Sequence, residues 1–139
     1  MEITARSLQN LQVEILTDSH RFVADETKND GGDDAGPSPY ALLLSSLAAC
    51  KVITVHLYAR RKEWPVETVT IRMQHNKIYA RDCEDCVSLP NARIDLIESE
   101  ISFEGDLNEE QIKRLAEIAD RCPVHRTLTS ETKIRTRVV

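Results

Sequence analysis

GPSPYALLLSSLAACKVITVHLYARRK, residues 36–62, is the stretch on which the fold turns. Ser38 offers a side-chain cap, and Pro39 sits where a first helical turn tolerates a missing N–H, so a helix starts here. Leu42, Leu43, Leu44, Leu47, Ala48, Val52, Ile53 and Val55 spread over more than one face. That predicts a long helix buried on most sides, inside the domain or against a second subunit. Arg60, Arg61 and Lys62 fall at its partially negative C-terminal end and read as a solvated helix terminus. Ser45, Ser46, Lys51, Thr54 and His56 interrupt the run, which is read as too polar to cross a bilayer.

Outward from this helix the pattern changes. On the N-terminal side Val13 and Ile15 alternate with polar neighbours, and Phe22 and Val23 open another short strand. The acidic stretch DETKNDGGDDAG, residues 25–36, is a glycine-bearing loop. On the C-terminal side Trp64 and Pro65 end the helix, with Trp64 as a packing anchor. A strand follows in which Val69, Ile71 and Met73 alternate, and another runs from Ile94 to Phe103. Asn108 and Gln111 have the spacing of a capping box, and Ile112, Leu115, Ala116, Ile118 and Ala119 recur at helical spacing. Pro123 ends that helix and starts a short second one with Cys122 at its cap. TKIRTRVV, residues 132–139, reads as a closing strand with Lys133, Arg135 and Arg137 on one face. The expected architecture is a single α+β domain over residues 1–139 with mostly antiparallel strands.

Composition narrows the function. The chain has 139 residues, 41% of them hydrophobic and 29% charged, as in an ordinary globular domain. Its formal charge of −5 and the lack of a basic stripe argue against nucleic acid as a partner. MEITARSLQN lacks the basic start and apolar core of a signal peptide, so a cytosolic location is expected, with no membrane partner. There the four cysteines are expected to be reduced, catalytic, redox-active or metal-binding rather than structural disulfides.

The thiols differ in their surroundings. Cys122 lies at a helix start between Arg121 and Arg126, with His125 three positions on, and these groups favour thiolate. The alternative is a small buried residue closing a helix corner. Cys50 lies within the apolar helix, with Lys51 on a different face, and on its own reads as inert core. Cys83 and Cys86 form a CxxC among Asp82, Glu84 and Asp85, carboxylates that disfavour a nucleophilic thiolate. An accessory dithiol, a zinc site completed from His75, Cys122 or His125, and a plain acidic loop all remain open there. No GxSxG, phosphate-binding glycine loop or HExxH is present. His20, His56 and His75 read as surface or strand residues.

GPSPYALLLSSLAAC and IADRCPVHRTL, in this order, resemble the two cysteine motifs of the OsmC-like family, which includes the organic hydroperoxide resistance proteins. The resemblance covers nearly the whole chain. It implies an intertwined homodimer with antiparallel sheets around two long buried central helices. It also implies thiol-dependent reduction of organic hydroperoxides, with Cys50 as the peroxidatic cysteine and Cys122 as the resolving one, and a dithiol as reductant. No metal or cofactor is expected. His125, Arg126 and Arg121 are candidate activating groups. The family's efficient peroxidases carry a glutamate ten residues before the peroxidatic cysteine, where this chain has Tyr40, and an arginine from an early loop, for which Arg21 is the nearest candidate. The alternative within the same fold is a non-catalytic redox, zinc or small-ligand binding module.

Overall fold

The computed structural model describes residues 1–139. The chain divides into two compact units, residues 1–45 and 46–139. The first contains an antiparallel meander of β1 (Thr4–Ser7), β2 (Val13–Leu16) and β3 (Arg21–Ala24). Its register runs from Thr4↔Leu16 to Ser7↔Val13 and from Val13↔Ala24 to Leu16↔Arg21. Glu14, 3% exposed, is held between Arg6 at 2.8 Å and Arg21 at 2.5 Å. Burying that carboxylate is tolerable because both its oxygens meet guanidinium donors.

The acidic loop that follows is tied down by one side chain. Asp25, 2% exposed, accepts hydrogen bonds from the backbone N–H groups of Glu26, Asp33 and Ala35. These bonds, Ala35's foremost, hold its carboxyl below the usual carboxylate range. The chain closes so tightly here that a Cβ on Gly32 would stand 2.0 Å from the Glu26 carbonyl oxygen. Glycine at 32 is therefore a requirement of the fold.

Helix α1 (Pro39–Lys62) begins as expected, with Ser38 Oγ accepting from Ala41 N–H at 3.3 Å. By length and composition α1 would pass for a membrane span, so its polar residues do not exclude one as expected. Leu47, Lys51, Val55, Tyr58 and Ala59 are buried on one stripe. Ile53 and Leu57, 58% and 59% exposed, lie outside it, so within one chain α1 buries one face and not most of them.

In the second unit a long hairpin pairs β4 (Val66–Tyr79) with β5 (Arg93–Gly105), from Val66↔Gly105 to Tyr79↔Arg93. Helices α2 (Glu109–Ala119) and α3 (Pro123–Leu128) follow. Val55, Tyr58 and Ala59 of α1, Val69 of β4, and Leu115, Ile118 and Ala119 of α2 form the core, with Trp64 and Phe103 packed against it. Trp64 meets Tyr58 edge to face at 5.6 Å. The capping box of α2 is complete, with Asn108 Oδ1 accepting from Gln111 N–H and Gln111 Oε1 from Asn108 N–H. Such a cap stabilises a helix by about 1 kcal/mol.

The hairpin's apolar face changes sides. Near its base Val69, Ile71 and Met73 share a face with Phe103 and Ile101. Near its tip Ile78, Ile94 and Leu96 occupy the opposite face, and the first face carries His75, Lys77 and Asp95. One covering layer on a single side cannot bury both halves.

The closing strand is not formed. Residues 130–139 have no regular structure and are exposed throughout, Ile134 and Val138 at 88% and 98%. Lys133 pairs locally with Glu131. A strand needs a sheet edge to receive its N–H and C=O groups, and no edge pairs with this segment.

Candidate functional site

Helix α1 carries Cys50 half-buried at mid-length, and the α2–α3 junction carries Cys122 with 0% exposure. Both are free thiols. Cys50 lies near enough to act on the Cys122 thiol, although the two are 72 positions apart in sequence (122 minus 50). Cys122 is the N-cap of α3 (φ −64°, ψ 147°), and its Sγ accepts from His125 N–H at 3.3 Å. Pro123 follows at the first helical position. A thiol here does what a serine hydroxyl does at most helix starts.

The acidity expected of Cys122 from its neighbours in sequence is not found. Burial pushes its thiol up, the His125 N–H lowers it less than that, and the Cys50 sulfur raises it further. Lys51 is the cation acting on it, while Arg121 and Arg126 are exposed at the surface. Desolvation penalises the thiolate more than one helix-start N–H repays it. The proton is therefore held more firmly on Cys122 than on an ordinary thiol.

Lys51 is the residue that the sequence reading left out. Its side chain is 5% exposed, and Nζ lies 2.5 Å from Asp120 Oδ1, 3.2 Å from His125 Nδ1 and 3.5 Å from the Ala119 carbonyl oxygen. An ammonium has three protons, and these are three acceptors. With Lys51 charged, His125 Nδ1 accepts, which places the imidazole proton on Nε2. His125 Nδ1 also lies 3.7 Å from Asp120 Oδ1. Since Ala119 ends α2, the ammonium also meets the negative end of that helix. One buried cation thus fastens α1 to the junction that presents Cys122. A signal for it existed: Lys51 stands four residues from Leu47 and from Val55, on the buried stripe of α1.

Arg21 is engaged by Glu14, and Tyr40, 52% exposed, is in the first turn of α1. His75 Nε2 meets Asp95 Oδ1 at 2.8 Å on the hairpin. Cys83 and Cys86 are joined as a disulfide in the β4–β5 loop, the state expected less than reduced, catalytic, redox-active or metal-binding cysteines. The CxxC spacing sets their Cα atoms 5.5 Å apart, within the range of roughly 4.4–6.8 Å that a disulfide accepts. A groove of about 420 Å³ along the hairpin is lined by Arg72, Met73, Gln74, Glu98, Ser99 and Glu100. It holds no cysteine and is mostly polar.

Fold and paired sulfurs together define a two-thiol α+β protein built on one long helix. A model of the family described as OsmC-like protein matches residues 31–137, and the chain belongs to that family. No curated protein matches it. Among solved structures, an OsmC-like protein from Mycoplasma pneumoniae is similar at 23% identity and a TM-score of 0.71, over 91% of this chain and 85% of that one. The organic hydroperoxide resistance protein OsmC from Legionella pneumophila aligns at 18% identity and a TM-score of 0.65, over 92% and 88%. The organic hydroperoxide resistance protein OhrB of Bacillus subtilis gives 17%, 0.61, 92% and 89%. At these identities the likeness is one of fold, an α+β arrangement of antiparallel sheets and a long helix.

Proposed function

We propose that this protein is a cytosolic, thiol-dependent reductase of organic hydroperoxides, acting as one domain over residues 1–139. The observation that carries the reading is that two free, sequence-distant thiols lie near enough to influence each other beside the buried Lys51 side chain. Membership of the OsmC-like family, and the names of similar solved structures, support the same chemistry. Cys50 thiolate attacks one peroxide oxygen and the alcohol leaves, with its oxygen taking up a proton. The sulfenic acid condenses with the Cys122 thiol, releasing water and forming a disulfide. An external dithiol restores both thiols and is itself oxidised to a disulfide. Burial suits Cys122 to the second step, because a neutral S–H does not compete for peroxide.

Cys122→Ser tests the order of events. One equivalent of cumene hydroperoxide is expected to leave a sulfenic acid on Cys50 that dimedone captures, identified by peptide mass. A variant that yields no adduct, or one at another cysteine, removes this reading. The engagement of Arg21 by Glu14, with Tyr40 where the family's efficient peroxidases have glutamate, favours a second reading, a slow or non-catalytic dithiol module. In that case wild-type protein consumes hydroperoxide no faster than a free thiol while still forming the Cys50–Cys122 disulfide.

We further propose the family's intertwined homodimer. Ala49, Ile53 and Leu57 form an exposed apolar stripe on the Cys50 side of α1. The hairpin's change of apolar face and the unpaired alternating tail also call for covering surfaces that one chain lacks. Sedimentation equilibrium is expected to give twice the chain mass, and an Ile53→Lys, Leu57→Lys double variant to give a monomer. A monomeric wild type at micromolar concentration would count against the dimer.

A further inference from the structure

The β4–β5 loop contains chemistry that peroxide reduction does not use. Cys83, Asp85 and Cys86 place their sulfur and carboxylate atoms within 4.8 Å of one another, with both cysteines half-buried and Asp85 exposed. The Asp85 Oδ1 atom lies 3.3 Å from Cys83 Sγ. A disulfide sulfur has no hydrogen to donate, so this contact is not a hydrogen bond. It is close to the separation of about 3.6 Å between a sulfur and an oxygen that share one tetrahedral zinc ion.

The loop is held at its base. Ala80 N–H donates to the Ala92 carbonyl at 2.8 Å and Arg81 N–H to the Pro90 carbonyl at 3.1 Å. Arg81 Nη1 reaches Asn91 Oδ1 at 3.1 Å, and its guanidinium lies over the Tyr79 ring at 4.3 Å. With the base fixed, the 5.5 Å between the two Cα atoms lets the same side chains bond to each other or converge on one ion.

Charge chooses between a nucleophile and a chelator. Asp82, Glu84 and Asp85 surround the pair, and anions beside a thiol oppose its ionisation. A divalent cation reverses this, since it is attracted by the carboxylates and displaces the thiol protons. We propose that the reduced loop is a binding site for a soft divalent cation, zinc in particular, held by the Cys83 and Cys86 thiolates and the Asp85 carboxylate with water in the fourth position. The disulfide is the metal-free state of the same site. A dithiol reductant delivers two electrons and two protons, breaking the S–S bond and becoming a disulfide itself. Binding the cation then releases those two protons.

The test is a cobalt(II) titration of fully reduced full-length protein without oxygen, followed by displacement with zinc. A near-ultraviolet sulfur-to-cobalt charge-transfer band is expected, saturating at one ion per chain and erased by one equivalent of zinc. The Cys83→Ser, Cys86→Ser double variant is expected to lose the band with its helical circular dichroism unchanged. The Cys50→Ser, Cys122→Ser double variant is expected to keep it. Asp85→Asn should weaken binding by roughly tenfold or more, and oxidised protein should show no band. No band in reduced wild type overturns the proposal, as does one that survives loss of Cys83 and Cys86 or persists after oxidation. None of these outcomes depends on whether the protein reduces hydroperoxides.

Discussion

Cys50→Ser protein is expected to lose dithiol-dependent hydroperoxide consumption by about a thousandfold or more, the scale on which enzymes respond to removal of a covalent nucleophile. A serine hydroxyl stays protonated at neutral pH and has no low-lying route to an oxidised form comparable to sulfenic acid. Cys50 is half-buried on a helix, so the smaller oxygen fits without a cavity, and thermal unfolding should shift little. The two cysteine variants together assign the roles. If Cys50 is the nucleophile, Cys50→Ser stops the first step, whereas Cys122→Ser lets the first step proceed and stops the second. The reverse pattern, measured as single-turnover peroxide loss in each variant, would move the nucleophile to Cys122 and contradict the effect of burial on that thiol.

The second large effect is expected at Lys51, where stability and reactivity part company. In Lys51→Met the cation is gone, and Asp120, 67% exposed, is returned to water without a buried orphan. Methionine fills much of the same space, so urea unfolding should change by less than about 1.5 kcal/mol. Cys122, however, loses the cation that lowers its thiol. Its alkylation profile should move to higher pH, and the rate at which Cys122 condenses with the Cys50 sulfenic acid at neutral pH should fall by about tenfold or more. Asp120→Asn is expected to do the opposite, costing about 2 kcal/mol. That figure lies between those for exposed and buried pairs, because the ammonium stays buried with one acceptor weakened while the carboxylate is solvated. Equal loss of stability in both variants, with an unmoved pH profile for Lys51→Met, would reduce Lys51 to a strut.

Local features were legible in the sequence because their causes are local. Ser38 and Pro39 start α1, Asn108 and Gln111 cap α2, and Cys122 with Pro123 starts α3, each through contacts within four residues. Alternation identified β4 and β5, although β4 runs on to Tyr79 beyond the clear pattern because the apolar positions change face near its tip. β1 went unseen, as its four residues, Thr4–Ser7, are all exposed and carry no alternation. The final segment alternates as a strand should, but pairing depends on a partner edge that no string of letters supplies.

The candidate site was half legible. Both cysteines could be named from their motifs, but the sign of Cys122's shift could not, because burial is decided by residues far along the chain. The ion pair of Lys51 and Asp120 spans 69 positions, so its existence depends on how α1 meets the end of α2. The buried stripe of α1 pointed to Lys51 but not to its partner.

Helix α3 is six residues long, and its opening turn is secured by the Cys122 sulfur. So short a helix does not persist by its own hydrogen bonds. The same atom is the one that peroxide chemistry, as proposed, would draw toward Cys50. Disulfide formation would then draw on the atom that caps α3, so the helicity of the segment from Pro123 to Leu128 is tied to the state of the two sulfurs.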